Sequence, residues 1–209
     1  MRDPAVRALE ILEQTGAVRS GHFLLSSGLH SAKYCQCAAL FEHPALGEEM
    51  AHLLVASLPQ GLAVDVVLAP ALGGVLWGYE LARALGGNVR SFFAERGPGE
   101  PFALRRSFAI HPGQRVLLAE DVVTTGGSVM ELVPLVEAAG AEVVGFAAVA
   151  DRSKGRFTPL LRGGKPFHSL VQLDFETYEP GACPLCRAGS VATKPGSRAA
   201  TPAAQPHRA

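Results

Sequence analysis

Two adjacent acids, Glu120 and Asp121, stand between an apolar run at residues 116–118 and a patch of hydroxyl and glycine residues at 124–128. The apolar run predicts a buried strand. The glycine-containing patch precedes a helical pattern, and backbone N–H groups at such a turn bind phosphate. Carboxylates repel phosphate, so we expect both acids to face the hydroxyls of a sugar phosphate. There they can stabilise positive charge that develops on the sugar ring.

Two common phosphate-binding motifs are absent from this sequence. No lysine follows the glycines at 126 and 127, which excludes the loop of nucleoside triphosphatases. The glycines at 73, 74 and 78 do not have the spacing of the dinucleotide-binding fingerprint. A nicotinamide-dependent dehydrogenase therefore loses its main support.

Strand and helix patterns alternate along the middle of the chain and predict an α/β fold with a mostly parallel sheet. Ligands bind such sheets at the carboxyl ends of the strands. A first helix should begin after Asp3 with Pro4 in its first turn and end at Gly16, and Ser128 should cap the helix that Pro134 kinks or delays. The predicted strands are 64–70, 88–95, 115–121, 142–151 and 167–173, and the helices between them are 73–86 and 128–140.

The composition limits the possible partners and the location. Among 209 residues, 19 basic and 19 acidic side chains give a formal net charge of zero, so no overall field attracts nucleic acid or an anionic membrane. No apolar run has the roughly 20 residues of a membrane span. Acidic residues interrupt the N-terminal stretch, which argues against a signal peptide. We therefore expect a cytoplasmic protein without nucleic-acid or membrane partners.

The predicted organisation is one domain over residues 1–186. Residues 18–43, together with 166–186, are expected to form a small hood. From Arg187 to the end the chain is rich in Ala, Pro, Gly and Ser and has no acids, so residues 187–209 are predicted to be disordered.

The four cysteines occur as two close pairs, Cys35 with Cys37 and Cys183 with Cys186. The second pair has the CxxC spacing of a metal knuckle, whereas CxC is a less usual partner. A four-thiolate zinc site therefore stays an alternative, and plain reduced thiols are the favoured interpretation.

The stretch VLLAEDVVTTGGS at 116–128 resembles the signature of the type I phosphoribosyltransferases. Residues 21–36, 68–75 and 150–153 are similar to segments of the orotate phosphoribosyltransferase family within them, and 183–189 is similar to the tail of its Thermus-type bacterial branch. The resemblance implies a mostly parallel central sheet flanked by helices, with a small N-terminal hood. It also implies a homodimer with shared active sites.

The reaction implied is transfer of ribose 5-phosphate from 5-phosphoribosyl 1-pyrophosphate (PRPP) to orotate, which gives orotidine 5'-monophosphate and pyrophosphate for pyrimidine synthesis. Mg²⁺ is implied because it neutralises the leaving pyrophosphate, and no protein ligand for it is assigned. By resemblance, PRPP is bound by Arg96, Glu120, Asp121, Val122, Val123, Thr124, Thr125, Gly126, Gly127 and Ser128. The catalytic residues would be Glu120, Asp121, Arg105 and Arg106.

Orotate would contact Thr124, Arg152 and Tyr34. The residue types support two of these assignments, because a guanidinium matches a carboxylate bidentately and a tyrosine ring can stack on a planar pyrimidine. The basic segment from Arg90 to Arg115 corresponds to a mobile loop that closes over the site in this family.

The chain departs from the better-known branch of the family, which has lysines where Ser26 and Gly73 stand here and a longer mobile loop. We expect Arg105 and Arg106 to supply the missing positive charge. Two alternatives stay open: a phosphoribosyltransferase for another base, and a non-catalytic regulator that binds PRPP. A regulator would normally carry a basic nucleic-acid-binding element, and the neutral charge argues against one.

Overall fold

The computed structural model describes residues 3–25 and 27–195, which form two compact units. The larger unit consists of the chain up to Ala17 and of Cys37–Asp174. The smaller unit consists of the described residues within Val18–Gln36 and of those from Phe175 to Pro195. Within the described residues, no helix is both long and apolar enough to cross a membrane.

The strands and helices are numbered in chain order. The strands are β1 (Val18–Leu24), β2 (His30–Cys35), β3 (Val66–Pro70), β4 (Arg90–Glu95), β5 (Ala103–Leu104), β6 (Arg115–Val123), β7 (Glu142–Asp151), β8 (Phe167–Gln172) and β9 (Thr177–Tyr178). The α-helices are α1 (Pro4–Gln14), α2 (Pro44–Ser57), α3 (Gly74–Leu85), α4 (Gly127–Met130), α5 (Val133–Ala138) and α6 (Pro184–Arg187). Two 3₁₀ helices span Cys37–Glu42 and Pro180–Ala182.

A six-stranded sheet with the order β5-β4-β3-β6-β7-β8 is the centre of the larger unit. All its pairings are parallel except that of β4 with the short edge strand β5. Every residue of β3 is buried, as expected for a parallel strand covered on both faces. The predicted α/β architecture with a mostly parallel sheet is confirmed.

Two glycines allow α3 to pack closely against β3. A Cβ atom on Gly78 would lie 3.0 Å from the Cβ of Ala69, and one on Gly74 would lie 3.3 Å from the carbonyl oxygen of Ala119. The buried Trp77 lies between these glycines in the helix. The close packing fixes the start of α3 beside the carboxyl ends of β3 and β6.

The helix ends agree with the sequence at one place and differ at another. Asp3 caps α1 as predicted, since its side chain accepts a hydrogen bond from the N–H of Ala5 at 2.9 Å. The single helix predicted over 128–140 is instead the two short helices α4 and α5, with Pro134 in the first turn of α5. Ser128 is not a cap, because α4 begins at Gly127 and its N-cap is Gly126.

The smaller unit is an antiparallel sheet with the order β1-β2-β9. The β1–β2 register shifts between Ser20 and Phe23, as at a β-bulge. Its boundaries differ from those of the predicted hood, because residues 37–42 and β8 belong to the larger unit. Beyond residue 186 the chain is still hydrogen bonded, with the N–H of Leu24 donating to the carbonyl of Thr193 at 2.8 Å. The rest of the predicted disordered tail, residues 196–209, lies outside the described residues.

Candidate functional site

The two acids lie near the carboxyl end of β6, which runs between β3 and β7 in the sheet. Glu120 pairs with Ala148 of β7, and the side chains of both acids are largely removed from solvent. The strand continues through Val123, two residues further than predicted. A parallel sheet thus carries both carboxylates to the edge at which α/β proteins bind ligands.

The protein disfavours the charged form of both carboxyl groups. Burial raises the pKa of Glu120 to about 7, and the neighbouring Asp121 charge adds to the rise. A hydrogen bond from the backbone N–H of Val129 and the charge of Arg96 oppose that rise. Burial also raises the pKa of Asp121, whose Oδ1 accepts a hydrogen bond from the N–H of Val122 at 2.9 Å. The pair is therefore suited to hydrogen bonding hydroxyls or to facing positive charge.

The turn after β6 depends on Gly126. This residue has φ of 80°, and a Cβ atom there would lie 2.2 Å from Cδ2 of Phe157. Only glycine fits such a place. The carbonyl of Gly126 accepts the N–H of Met130 at 2.9 Å, which begins the hydrogen bonding of α4.

The residues around Gly126 present polar groups to solvent. Thr124, Thr125 and Gly127 are exposed, and the N–H of Gly127 donates to Oγ1 of Thr125 at 3.3 Å. Free backbone donors at a helix start, with hydroxyls beside them, form a binding place for phosphate. The structure thus brings the predicted loop at 124–128 next to the acidic pair.

A second loop approaches the acids from the end of β3. A Cβ atom on Gly73 would lie 2.9 Å from Oδ1 of Asp121, so the backbone at 73 packs directly against this carboxylate. The better-known branch of the family has a lysine at this place, and here a side chain would force Asp121 to move. Ser26, at the other departure from that branch, lies outside the described residues.

Arg152 follows the end of β7 and is tied to the end of β6. Its N–H donates to the carbonyl of Val123 at 2.8 Å, and the N–H of Ser153 donates to Oδ1 of Asp151 at 2.7 Å. Ser153 is buried. These bonds fix the backbone of Arg152 at the same edge of the sheet as the loop after β6.

The three loop arginines pair with carboxylates on the protein surface. Arg96 contacts Glu131 at 2.7 Å, and its charge acts on Glu120 as described above. In contrast, Arg105 and Arg106 pair with Glu100 and Glu95 at 3.0 and 2.9 Å. The list of carboxylate pairs is thus Arg96–Glu131, Arg105–Glu100 and Arg106–Glu95. The segment also differs from a simple loop, because part of it is the β4–β5 hairpin.

Tyr34 lies on β2, in the smaller unit. Its ring is 5.6 Å from that of Phe23 between centroids, and the guanidinium of Arg19 lies 5.7 Å from its centroid. Its contact with orotate stays a prediction.

Sequence reasoning missed two residues that shape this site. The sequence places Gly73 in a segment similar to the family, but does not indicate its contact with Asp121. Phe157 lies about thirty residues after the loop it packs against, and the sequence does not link the two. The pair of glycines directly after a buried strand was the available signal for the first, and no local signal exists for the second.

Comparison with known proteins gives consistent results. The phosphoribosyl transferase domain family matches residues 36–160. An orotate phosphoribosyltransferase of Caldanaerobacter subterraneus is 47% identical over 192 residues, which are 92% of this chain and 97% of the relative. One of Thermotoga maritima is 49% identical over 193 residues, 90% of this chain and 97% of the relative.

The fold is shared with a solved structure, the orotate phosphoribosyltransferase of Mycobacterium tuberculosis H37Rv in complex with inorganic phosphate. The TM-score is 0.67 at 26% sequence identity, and the match covers 83% of this chain and 97% of that one. The α/β architecture is thus the type I phosphoribosyltransferase fold. Because the family matches more than half of the chain and relatives of about half identity cover nearly all of it, the chain belongs to the phosphoribosyltransferase family, in its orotate phosphoribosyltransferase branch.

Proposed function

We propose that this chain transfers ribose 5-phosphate from PRPP to orotate, releasing pyrophosphate and orotidine 5'-monophosphate for pyrimidine synthesis. The observation that carries the proposal is the adjacency of two groups at one strand end. Glu120 and Asp121 are partly buried carboxylates with raised pKa values, and the glycine turn that begins α4 follows them within a few residues. This is the order in which a ribose 5-phosphate presents its hydroxyls and its phosphate.

The turn at residues 124–128 would hold the 5'-phosphate through its backbone N–H groups and hydroxyls. Glu120 and Asp121 would then accept hydrogen bonds from the ribose hydroxyls and stabilise the positive charge that develops on the ring as pyrophosphate leaves. The proximity of Gly73 to Asp121 supports a role for the loop after β3 on the pyrophosphate side.

Mg²⁺ is part of the proposal, and the donor set fits it. This cation prefers hard oxygen ligands, and a positive charge nearby would stabilise the charged forms of the partly buried Glu120 and Asp121 carboxylates. These two residues would hold it together with oxygens of the substrate. When bound, Mg²⁺ neutralises the charge of the pyrophosphate as it leaves.

Arg152 is proposed to bind the carboxylate of orotate. Support comes from its backbone bond to Val123, which keeps it beside the loop that would carry the phosphoribosyl group. Thr124, exposed at the start of that loop, would contact the base as well. Tyr34 would stack on the pyrimidine ring.

Arg96, Arg105 and Arg106 are proposed to contact pyrophosphate when the segment closes. Their present carboxylate partners are on the protein surface, where ion pairs contribute little to stability. A polyanion such as PRPP can therefore replace those partners. Closure would also exclude water that could hydrolyse the activated sugar.

A homodimer with shared sites is proposed too. Three large apolar side chains are exposed at the start of α3: Leu72 in the turn before the helix, and Leu76 and Tyr79 one helical turn apart within it. Such a patch is typical of a surface that another protein covers. Light scattering after size exclusion should give twice the chain mass, and Leu76→Glu should give a monomer. A cytoplasmic location stays a prediction from the sequence.

The proposal is tested by offering purified protein PRPP and Mg²⁺ with each of five bases. The reaction with orotate is measured by the loss of orotate absorbance. The reactions with uracil, hypoxanthine, guanine and adenine are measured by the release of pyrophosphate. We expect turnover with orotate and at least 100-fold slower release with the others, because a site built to pair a carboxylate strongly rejects a base without one.

The variant Arg152→Ala should raise the KM for orotate far more than that for PRPP, whereas Arg156→Ala, four residues further on, should change neither. Equal or faster turnover with another base would overturn the orotate assignment. It would leave intact the proposed binding of ribose 5-phosphate by the acidic pair and the turn at residues 124–128. PRPP binding without turnover of any base would favour a regulator.

A further inference from the structure

A cluster of four side chains in the smaller unit belongs to no part of the proposed reaction. His22 on β1, His30 at the start of β2, and Cys183 and Cys186 at α6 each direct one ligand atom to a common point. These atoms all lie within 4.8 Å of one another. His22, His30 and Cys183 are buried, which is unusual for histidines without a bound group or an acidic partner.

Three sulfur–nitrogen distances within the cluster are those of tetrahedral ligands. A zinc ion about 2.0–2.1 Å from nitrogen and 2.3 Å from sulfur separates its ligand atoms by about 3.3–3.8 Å. The Sγ of Cys186 lies 3.8 Å from Nε2 of His22 and 3.4 Å from Nδ1 of His30, and the Sγ of Cys183 lies 3.5 Å from Nε2 of His22. The two histidine nitrogens, 2.9 Å apart, need to separate by only about half an ångström to reach this range.

The second nitrogen of His22 supports the same conclusion independently. Nδ1 of His22 is 3.1 Å from the carbonyl oxygen of Ser190, which can only accept a hydrogen bond. Nδ1 therefore carries the proton, and Nε2 presents its lone pair to the cluster. A backbone carbonyl that fixes the ring in this way is the usual second partner of a metal-binding histidine.

The four groups come from the two chain segments that form the smaller unit, and local structure positions each of them. His22 lies within the register shift of β1, and a bulge of this kind redirects a side chain. Cys183 and Cys186 flank one turn in which the N–H of Arg187 donates to the carbonyl of Cys183 at 3.2 Å. Gly189, with φ of 81°, then turns the chain after α6, and the next residue is Ser190, whose carbonyl lies beside His22.

We propose that His22, His30, Cys183 and Cys186 bind a structural zinc ion that fastens the C-terminal segment to the β1–β2 hairpin. Two imidazoles and two thiolates are the ligands of closed structural zinc sites, in which the protein fills all four positions. A three-stranded sheet buries little apolar surface, and small folding units commonly add a metal for that reason. The site is independent of the proposed enzyme activity. It also replaces the four-thiolate set considered from the sequence, because Cys35 and Cys37 are not among the cluster.

The first test is the metal content of the full-length chain, purified under reducing conditions without a histidine tag. Mass spectrometry of the elements should find one zinc per chain after dialysis. Cys183→Ser/Cys186→Ser should lose it, and Cys35→Ser, a matched change of a buried cysteine in the same unit, should keep it. A wild-type chain without zinc, even after incubation with zinc chloride, or a double variant that keeps it, would overturn the proposal.

The second measurement is made first on the wild-type chain, so its main result does not depend on whether a variant folds. Cobalt(II) added to the chelator-stripped wild-type chain should give the intense visible bands of a tetrahedral ion and a thiolate charge-transfer band. Zinc chloride should then displace the cobalt and abolish both. Cys186→His, which keeps four ligands, should retain zinc and weaken the charge-transfer band. Only the weak spectrum of octahedral cobalt from the wild-type chain would contradict the proposed site.

Discussion

The two ends of β6 treat acidic side chains in opposite ways. At the amino end, Asp65 accepts three hydrogen bonds from Arg115, from its backbone N–H at 2.8 Å, Nε at 2.9 Å and Nη2 at 2.8 Å. This pairing holds the pKa of Asp65 well below its usual range. At the carboxyl end, burial raises the pKa of Glu120 to about 7 and raises that of Asp121.

The difference separates a charge that holds the fold together from a charge kept for a ligand. Arg115 already neutralises and hydrogen bonds Asp65 within the protein, so this carboxylate would gain little from a ligand. Both Glu120 and Asp121 are poorly solvated, and the charge of Asp121 further disfavours the charged form of Glu120. A substrate that brings hydroxyls and positive charge gains binding energy there. A change at the amino end should therefore lower stability and leave activity unchanged, whereas a change at the carboxyl end should lower activity and leave the fold intact.

The largest effect is expected at the turn that positions the ligand end of the strand. Gly126→Ala places a Cβ atom against Phe157 in a backbone conformation that alanine rarely adopts, so kcat/KM should fall at least 100-fold and the unfolding temperature should fall too. Gly127→Ala is the matched control, since its Cβ meets nothing closer than 3.5 Å. Steady-state kinetics with thermal unfolding measures both. Similar losses in the two variants would show that the Phe157 contact is not what matters.

Removing either charge of the acidic pair should impair the reaction and leave the fold intact. For Asp121→Asn or Glu120→Gln we expect kcat/KM to fall about 10²–10³-fold, because a charge that faces the transition state is lost. The unfolding free energy should stay equal or rise, since a disfavoured buried charge is gone. Glu137→Gln, on the exposed side of α5, should change neither. Full activity in both acid variants would end the contrast between the two strand ends.

The loop arginines should affect PRPP binding and not stability. Arg105→Ala/Arg106→Ala should raise the KM for PRPP about 10–100-fold, because the double variant removes two charges from the closing segment, and thermal unfolding should hardly change. Lys154→Ala removes another exposed cation, one paired with Asp174 outside that segment, and should leave the KM for PRPP as it is. Full turnover and unchanged PRPP affinity in the double variant would remove these arginines from the proposal.

The ligand-free chain should lose stability as pH rises through the range set by Glu120. The pKa is 4.5 in the unfolded chain and about 7 in the folded one, so the folded state binds more protons between these values. The contribution of Glu120 to the unfolding free energy should then fall between pH 4.5 and 7 by up to about 3 kcal/mol and be constant outside this window. Urea unfolding of the wild type and of Glu120→Gln measures the difference, which should vanish at pH 4. A difference that grows toward low pH would contradict the sign.

The smallest effect on activity is expected at the amino end of the strand. Asp65→Asn removes a carboxylate whose pKa is lowered by Arg115, so the variant should unfold at a lower temperature at pH 7 and keep its kcat/KM. The stability difference should be full above the unfolded pKa of Asp65 and disappear as pH falls below it. A loss of activity without a loss of stability would place a functional charge at this end too.

Much of the fold, and the stretch that contains the candidate site, could be predicted from the sequence. Periodic apolar runs predicted β3, β4, β6, β7 and β8, and the helix cap at Asp3 was predicted as found, since these depend on neighbours along the chain. The acidic pair and the turn after it were recognisable because one continuous stretch contains both. The interruption at Pro134 was predicted, but the segment 128–140 forms two short helices and not one kinked helix, and Ser128 is not its cap.

Tertiary structure alone decided what those residues face. Asp121 lies against Gly73, and Gly126 lies against Phe157, through contacts between segments far apart in sequence. The raised pKa of Glu120 arises from burial under such segments and cannot be read from the residue itself. The same is true of His22 and His30 with Cys183 and Cys186, which about 150 residues separate. The sequence determines which chemical groups are present and which local segments form strands and helices. Only tertiary packing decides which groups come into contact and which charge state each group adopts.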